Sequence, residues 1–536
     1  MFIRKLKKQI ICNFDEPIVQ TREGKIRGVL SDDTYVFRGI RYAEAGRFLM
    51  PERVKPWDGV KEAIVYGFVC PEIFTPVPHD QYTVPHYFGI QSEECQYLNI
   101  WTQSLEPSGK KPVMVWLHGG GFFSGSGVEH YAYDGENLSK SGDVVVVTLN
   151  HRLNVLGFLD LSKYGGQYKF SGNAGMADLV AALQWIRFNI AAFGGDPDNV
   201  MIFGQSGGGA EVAALLEIPA ADGLFHKAGL QSGGMNNRGS IGPEMAQRAA
   251  EFVLQYLKIA PDHISEIETV PYEELSEAAE YASGQILKEF GSPMMWGPVA
   301  DREYYMGHPY EAGFRKETKH IPIICGSVLG EFSNNFTSPR GTGSKNSWSE
   351  DYKMKMILEE FGEDADKIIE AFKKAYPEKN IADVLFMDRS SRKGSLDFAK
   401  LHSEFTNAGT YNFIFNLESP FNGGTLPWHN AEIPYVFHNA EYLEPSFIPG
   451  VTEGLQDMVS GAWVSFAYCG NPNHVGMPVW PSFRSDTAPT MIFDRITRLG
   501  LGHDASLLSE LPDVPFNISG IIGKKKIRKE DVANVY

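Results

Sequence analysis

Cysteine is scarce: five residues in 536, at Cys12, Cys70, Cys95, Cys325 and Cys469, with no CxxC pair and no metal-ligand spacing. That excludes a disulfide framework and points to a reducing, cytoplasmic setting. Long apolar runs are missing too, since the longest, such as Val144–Leu149 (VVVVTL), have the length of a buried strand. Spanning a bilayer takes ~20 such residues, so no membrane span is expected. Behind the basic N-terminus the apolar QIIC gives way at once to NFDEP, and no signal-peptide core is expected. Positive charge is in deficit: 49 Lys and Arg against 66 Asp and Glu leave −17, which disfavours nucleic acid and anionic membranes as partners. The basic ends, MFIRKLKKQ and Gly523–Asp531, are solvated tails on this view. No repeat or low-complexity stretch stands out, which disfavours solenoids and propellers.

What is present is ordinary globular material, 43% apolar and 21% charged, enough for a sizeable core. GKIRGVLSDDTYVFRGIRYA carries two β-rich runs around Ser31-Asp32-Asp33 and predicts a hairpin. Pro71 to Glu94 is loop-rich. From residue 112 onward, short apolar runs (PVMVWL, DVVVVTL, NVMIFG, IPIICG) alternate with helical segments such as ADLVAALQWIRFNI. This alternation predicts an α/β fold with a large, mostly parallel sheet flanked by helices, whose ligand site lies beyond the carboxyl ends of the strands. Residues 335–406 read as a polar helical insertion over the sheet, a possible lid, and Thr337–Asp351 within it as a surface loop.

One such strand end is MIFGQSGGG. Gly204-Gln205-Ser206-Gly207-Gly208 has the G-x-S-x-G spacing of a nucleophile held on a strand-to-helix turn, but the motif is too short to stand alone. Upstream, VMVWLHGGGFF places Gly119, Gly120 and Gly121 after His118 at another strand end. The amides of Gly120, Gly121 and Gly207 are candidate donors to a developing oxyanion. Downstream an acid and then a histidine are required. Glu331 lies just past the buried strand IPIICG, and His429 lies in the Pro/Gly-bounded loop GTLPWHNAEIPYVF, whereas His438 looks structural. Ser232, in LQSGG, fits the nucleophile's surroundings less well and is given a hydrogen-bonding role near the site.

With these residues in view, the chain from about residue 20 to about residue 496 resembles the type B carboxylesterases, the cholinesterase-like branch of the α/β-hydrolases. The segments that carry the resemblance are FRGIRYA, SEECQYLNIW, HGGGFFSGS, NHRLNVLGFL, GNAGMADLVAALQWIRFNIAAFGGDPDNVMIFGQSGGG, GPVAD, HNAEIPYVF and FAYCGNPN. The resemblance implies a single α/β-hydrolase domain over 1–536 and a triad of Ser206, Glu331 and His429, with an oxyanion hole at Gly120, Gly121 and Gly207. It implies a serine ester hydrolase working through an acyl-enzyme, with no metal or organic cofactor, on a small-molecule ester, as a monomer or small homo-oligomer. It also pairs Arg47 with Glu93 and Arg152 with Asp178, and sets Cys70 near Cys95, which secreted members bridge. SPMMWGPVAD matches the acyl-pocket loop and makes Met294 and Trp296 candidate substrate contacts, together with Gln205.

Departures narrow the substrate. The family's usual E-S-A-G becomes Gln205-Ser206-Gly207-Gly208, removing a carboxylate that would favour cationic substrates. The stretch after GIRYAEAG is shorter than usual, and no tryptophan lies between Cys70 and Cys95 to serve as a choline platform. Phe74, Tyr82, Tyr87 and Phe88 remain there, either lining an entrance or packing in the core. Small to medium uncharged esters are therefore expected. The alternatives are a noncatalytic binding or adhesion protein on the same fold, and amide, carbamate or lactone cleavage by the same triad.

Overall fold

The computed structural model describes residues 9–72, 86–235, 240–292, 294–332 and 344–512. Phe74, Tyr82, the polar run as far as residue 343 and most of both basic ends lie outside these residues. One twelve-stranded sheet organises the chain. Its strands are β1 (Ile10–Ile11), β2 (Val29–Ser31), β3 (Thr34–Arg41), β4 (Tyr97–Thr102), β5 (Lys111–Leu117), β6 (Val145–Leu149), β7 (Gly195–Gln205), β8 (Lys227–Gln231), β9 (Ile323–Val328), β10 (Thr410–Phe415), β11 (Pro489–Phe493) and β12 (Arg498–Leu501). Their spatial order is β1-β2-β3-β4-β6-β5-β7-β8-β9-β10-β11-β12. From β6 to β11 every pairing is parallel, while β1 to β4 and β12 pair antiparallel. The N-terminal hairpin turns at Asp32-Asp33, with Ser31 opposite Thr34.

The buried stretches of the parallel strands are mostly apolar because both faces are covered. Side-chain alternation sorts their residues between two cores. Val113, Val115 and Leu117 of β5 face helices α1 (Ala174–Asn189) and α2 (Gly207–Leu215). Met114 and Trp116 face the other way, into a core shared with Trp463 and Phe466 of the helix Thr452–Cys469. A third core joins the helices Pro243–Leu257 and Tyr272–Phe290. Three further helices, Glu350–Phe361, Ala365–Ala375 and Ser391–Phe405, occupy the region expected to be a helical insertion. The first two pack on Ile414 and Ile492 of the sheet. Buried Lys345 also ties this region down, pairing with Asp383 at 2.5 Å and Glu418 at 2.6 Å. No helix among the described residues is long and apolar enough to cross a membrane.

The expected pairs form. Arg152 binds Asp178 through Nε at 2.8 Å and Nη2 at 2.7 Å, both side chains buried. Arg47 binds Glu93 but is only partly buried, Glu93 being 31% exposed. Cys70 and Cys95 are buried, adjacent and unbridged; burial, followed by contact with Cys70, raises the Cys95 thiol. Tyr87 and Phe88 are exposed, so core packing does not account for them.

Candidate active site

Ser206 occupies the turn from β7 into α2. Its φ of 57° and ψ of −119° are a strained combination for a residue with a side chain, held because the strand and helix on either side are both buried. Its amide donates to the Gln231 carbonyl of β8 at 2.8 Å, and its carbonyl accepts from Ala210 at 3.0 Å. The flanking glycines have a steric reason: a Cβ on Gly204 would lie 2.6 Å from the Gly208 oxygen and 2.7 Å from that of Leu117.

The loop leaving β5 brings Gly120 and Gly121 to this turn with φ of 110° and 66°. Gly207 packs so closely on Gly121 that a Cβ there would sit 2.9 Å from the Gly121 Cα. Among the described residues, the amides of Gly120, Gly121 and Gly207 donate to no protein acceptor.

Glu331 and His429 arrive on two loops zipped together. The Gly330 amide donates to the Pro427 carbonyl at 3.0 Å, and Glu331 and Trp428 form an isolated parallel bridge. The Glu331 carboxylate then meets Nδ1 of His429 in a buried contact, while its other oxygen accepts from the Val328 amide at 3.1 Å. Nε2 of His429 is buried without a hydrogen bond among the described residues. Burial holds the His429 imidazole well down and pushes the Glu331 carboxyl up. The neutral imidazole is the form a general base requires. Ser232, with φ of 50°, lies beside Glu331 and opposes that rise, though its hydroxyl falls short of a well-formed hydrogen bond.

Gln205 is buried and donates its side-chain amide to the His429 carbonyl, so it braces the histidine loop against the end of β7. Met294 and Trp296 are each 5% exposed and packed into the third core. Just past them, Gly297 meets the glycine loop that leaves β5, where a Cβ would stand 3.3 Å from the Phe122 ring. His438 lies elsewhere, with Nε2 2.7 Å from Asp457.

Several neighbours carried no sequence signal. The Phe332 ring covers His429 with centroids 3.8 Å apart. Asp388 caps the helix Ser391–Phe405 through the Ser390 and Arg392 amides, and its own amide donates to the Leu329 carbonyl at 2.7 Å. Burial and the Glu331 charge push its carboxyl up to about 7. Glu432 accepts from Gln231 at 3.0 Å, and burial pushes it up to about 8.

A family model described as the carboxylesterase family matches residues 15–501. The para-nitrobenzyl esterase of Bacillus subtilis (strain 168) is 33% identical over 489 residues, covering 89% of this chain and 94% of its own. The phenmedipham hydrolase of Pseudarthrobacter oxydans is 31% identical over 493 residues, covering 89% and 94%. Among solved structures, an esterase from anaerobic Clostridium hathewayi, described as able to hydrolyse aliphatic aromatic polyesters, superposes with a TM-score of 0.87. That protein is 42% identical, with 94% of this chain and 99% of the other covered.

Proposed function

The chain belongs to the carboxylesterase family and is a carboxylic-ester hydrolase of the α/β-hydrolase fold, and on that premise we propose that Ser206, His429 and Glu331 carry the reaction. The observation that bears most weight is the buried contact between Glu331 and His429 Nδ1, which leaves Nε2 without a partner among the described residues, in a histidine whose carbonyl is held by Gln205 next to the strained Ser206 turn. His429 takes the Ser206 proton as the hydroxyl attacks the ester carbonyl. Glu331 holds the tautomer with hydrogen on Nδ1 and stabilises the imidazolium that forms. The oxyanion is met by the amides of Gly120, Gly121 and Gly207, which have no acceptor among the described residues to give up. His429 then protonates the leaving alcohol, and water repeats the sequence on the acyl-enzyme.

The substrates are uncharged esters of small to medium size, aromatic ones included. Support comes from the neutral Gln205 beside the nucleophile and from relatives named for a nitrobenzyl ester and for aliphatic aromatic polyesters. Residues 1–536 then form one domain with 335–406 as a helical insertion, supported by the packing of that region on Ile414 and Ile492. A cytoplasmic setting is supported by the scarcity and scattered spacing of the five cysteines.

Peptide mass spectrometry after fluorophosphonate treatment, run beside a series of p-nitrophenyl esters, tests this. A single adduct on Ser206, with adduct and turnover both lost in Ser206→Ala, is expected. An adduct or turnover that survives the substitution refutes the assignment.

A further inference from the structure

Behind the oxyanion loop lies a buried row of ionisable side chains that the reaction scheme leaves unused. His118 follows β5, His151 follows β6, and their rings stack with centroids 5.2 Å apart at 24°. Nδ1 of His118 is 2.8 Å from the Gly119 carbonyl and Nδ1 of His151 is 3.0 Å from the Arg152 carbonyl. A carbonyl only accepts, so both Nδ1 atoms carry hydrogen. Nε2 of His151 is 3.1 Å from Oε1 of Glu211, an ion-pair contact that falls short of a well-formed hydrogen bond; Glu211 projects from α2 one turn beyond Ser206. With a carbonyl on Nδ1 and a carboxylate beside Nε2, His151 is the ring of the two whose surroundings favour the imidazolium, and His118 has no such carboxylate.

The charges around the row agree. Burial works against charge on His151, but Glu211 beside it, then Asp178 and the Arg152 carbonyl, outweigh burial and raise it. Asp178 is itself occupied by the Arg152 guanidinium. Burial first, and the His151 charge second, push His118 down to about 3. The Tyr42 phenol, which also feels Glu211 and Asp178, is raised by burial and stays neutral.

We propose that the Glu211–His151 pair is a positioning device for the oxyanion hole. It anchors the stacked His118, whose Nδ1 hydrogen holds the Gly119 carbonyl, and thereby fixes the Gly120 and Gly121 amides relative to the helix that begins at Ser206. This rests on the hole assigned above. Because the nucleophile's own helix supplies Glu211, the strut ties the two halves of the site together. A misplaced donor forfeits a contact that is made chiefly in the transition state, so the effect falls on kcat.

The test compares wild type with Glu211→Gln and Glu211→Asp. For Glu211→Gln the expectation is a 10- to 100-fold fall in kcat for a p-nitrophenyl ester, with KM within twofold. The affinity for a trifluoromethyl ketone, a tetrahedral mimic, should fall by the same factor as kcat. The alkaline limb of the kcat profile should move down by a pH unit or more, because His151 loses the charge that raises it, and Glu211→Asp should restore part of both losses. A kcat within twofold of wild type, or a lower kcat and melting temperature with the alkaline limb unmoved, overturns the proposal. Should Glu211→Gln fail to fold, NMR of histidine-labelled wild type decides: a doubly protonated His151 persisting above pH 7 supports the proposal, and a neutral one overturns it. Fluorophosphonate labelling of wild type separates the two levels. Labelling at Ser206 without these shifts refutes the strut alone, while absence of labelling refutes the triad assignment and the strut with it.

Discussion

Glu331→Gln exchanges a single oxygen for an NH2 group, and the hydrogen bonds around the carboxylate determine its effect. One oxygen accepts from the Val328 amide at 3.1 Å, and the other faces Nδ1 of His429. Both positions need an acceptor, and glutamine has only one carbonyl oxygen. If that oxygen stays with Val328, the NH2 group faces His429, draws a lone pair to Nδ1 and puts the hydrogen on Nε2, the tautomer that cannot take a proton from serine. If it turns to His429, two donors oppose each other in a buried site, costing about 1–3 kcal/mol. The wrong tautomer is thus the favoured one, and no carboxylate remains for the imidazolium. An exchange of this kind in a serine triad lowers kcat by about 10⁴, and at about 1.36 kcal/mol per decade that is about 5.4 kcal/mol of transition-state stabilisation. The assay is kcat for a p-nitrophenyl ester with urea unfolding in parallel. The expected result is a loss of about 10³–10⁴ in a folded protein. A loss below tenfold would refute the reasoning and move the acid's role to Asp388, the other buried carboxylate that acts on His429.

Three further outcomes rest on the same geometry. Because burial depresses His429, and the base must be neutral to act, the acid limb of kcat/KM should have its midpoint below the ordinary histidine value of about 6.5; a midpoint at or above that value contradicts the buried base. Phe332→Ala admits water to the imidazole it covers, so that limb should move toward higher pH, with Phe332→Tyr restoring it; an unmoved limb makes the ring contact incidental. Arg152→Met strands the buried Asp178 carboxylate and frees the Gly46, Leu49 and Ala174 carbonyls. Urea unfolding should show a loss of about 3–5 kcal/mol, and a loss below about 1 kcal/mol would mean that the pair is not the anchor its burial implies.

The fold was legible because it rests on period and punctuation. Strands such as Val145–Leu149 are apolar on both faces and end in turns, and α1 interrupts them at helical length. The candidate site was legible where chemistry leaves a local mark: glycines around Ser206, glycines after His118, an acid past a strand end. It was not legible where partners meet only through the fold. Asp388 reaches the site by capping a helix, Phe332 by turning onto a loop far along the chain, and Glu211 by facing, from its helix, a histidine just past β6. None of these leaves a spacing in sequence. Whether Tyr87 and Phe88 were core or surface was equally undecidable, because an aromatic in an irregular loop has no face until the loop is placed.

The topology also carries a cost in time. Gln205, next to the proposed nucleophile, and His429 meet across 224 positions of chain, and Gln231 meets Glu432 across 201. At ~5–20 residues per second a ribosome takes roughly 10–45 s to travel from the serine to its base. On the proposed triad, Ser206 has through that interval a turn but no proton acceptor. Chemical competence on that triad appears late and all at once, when the loop after β10 docks, and recovery of turnover during refolding marks the closing of that 224-residue separation.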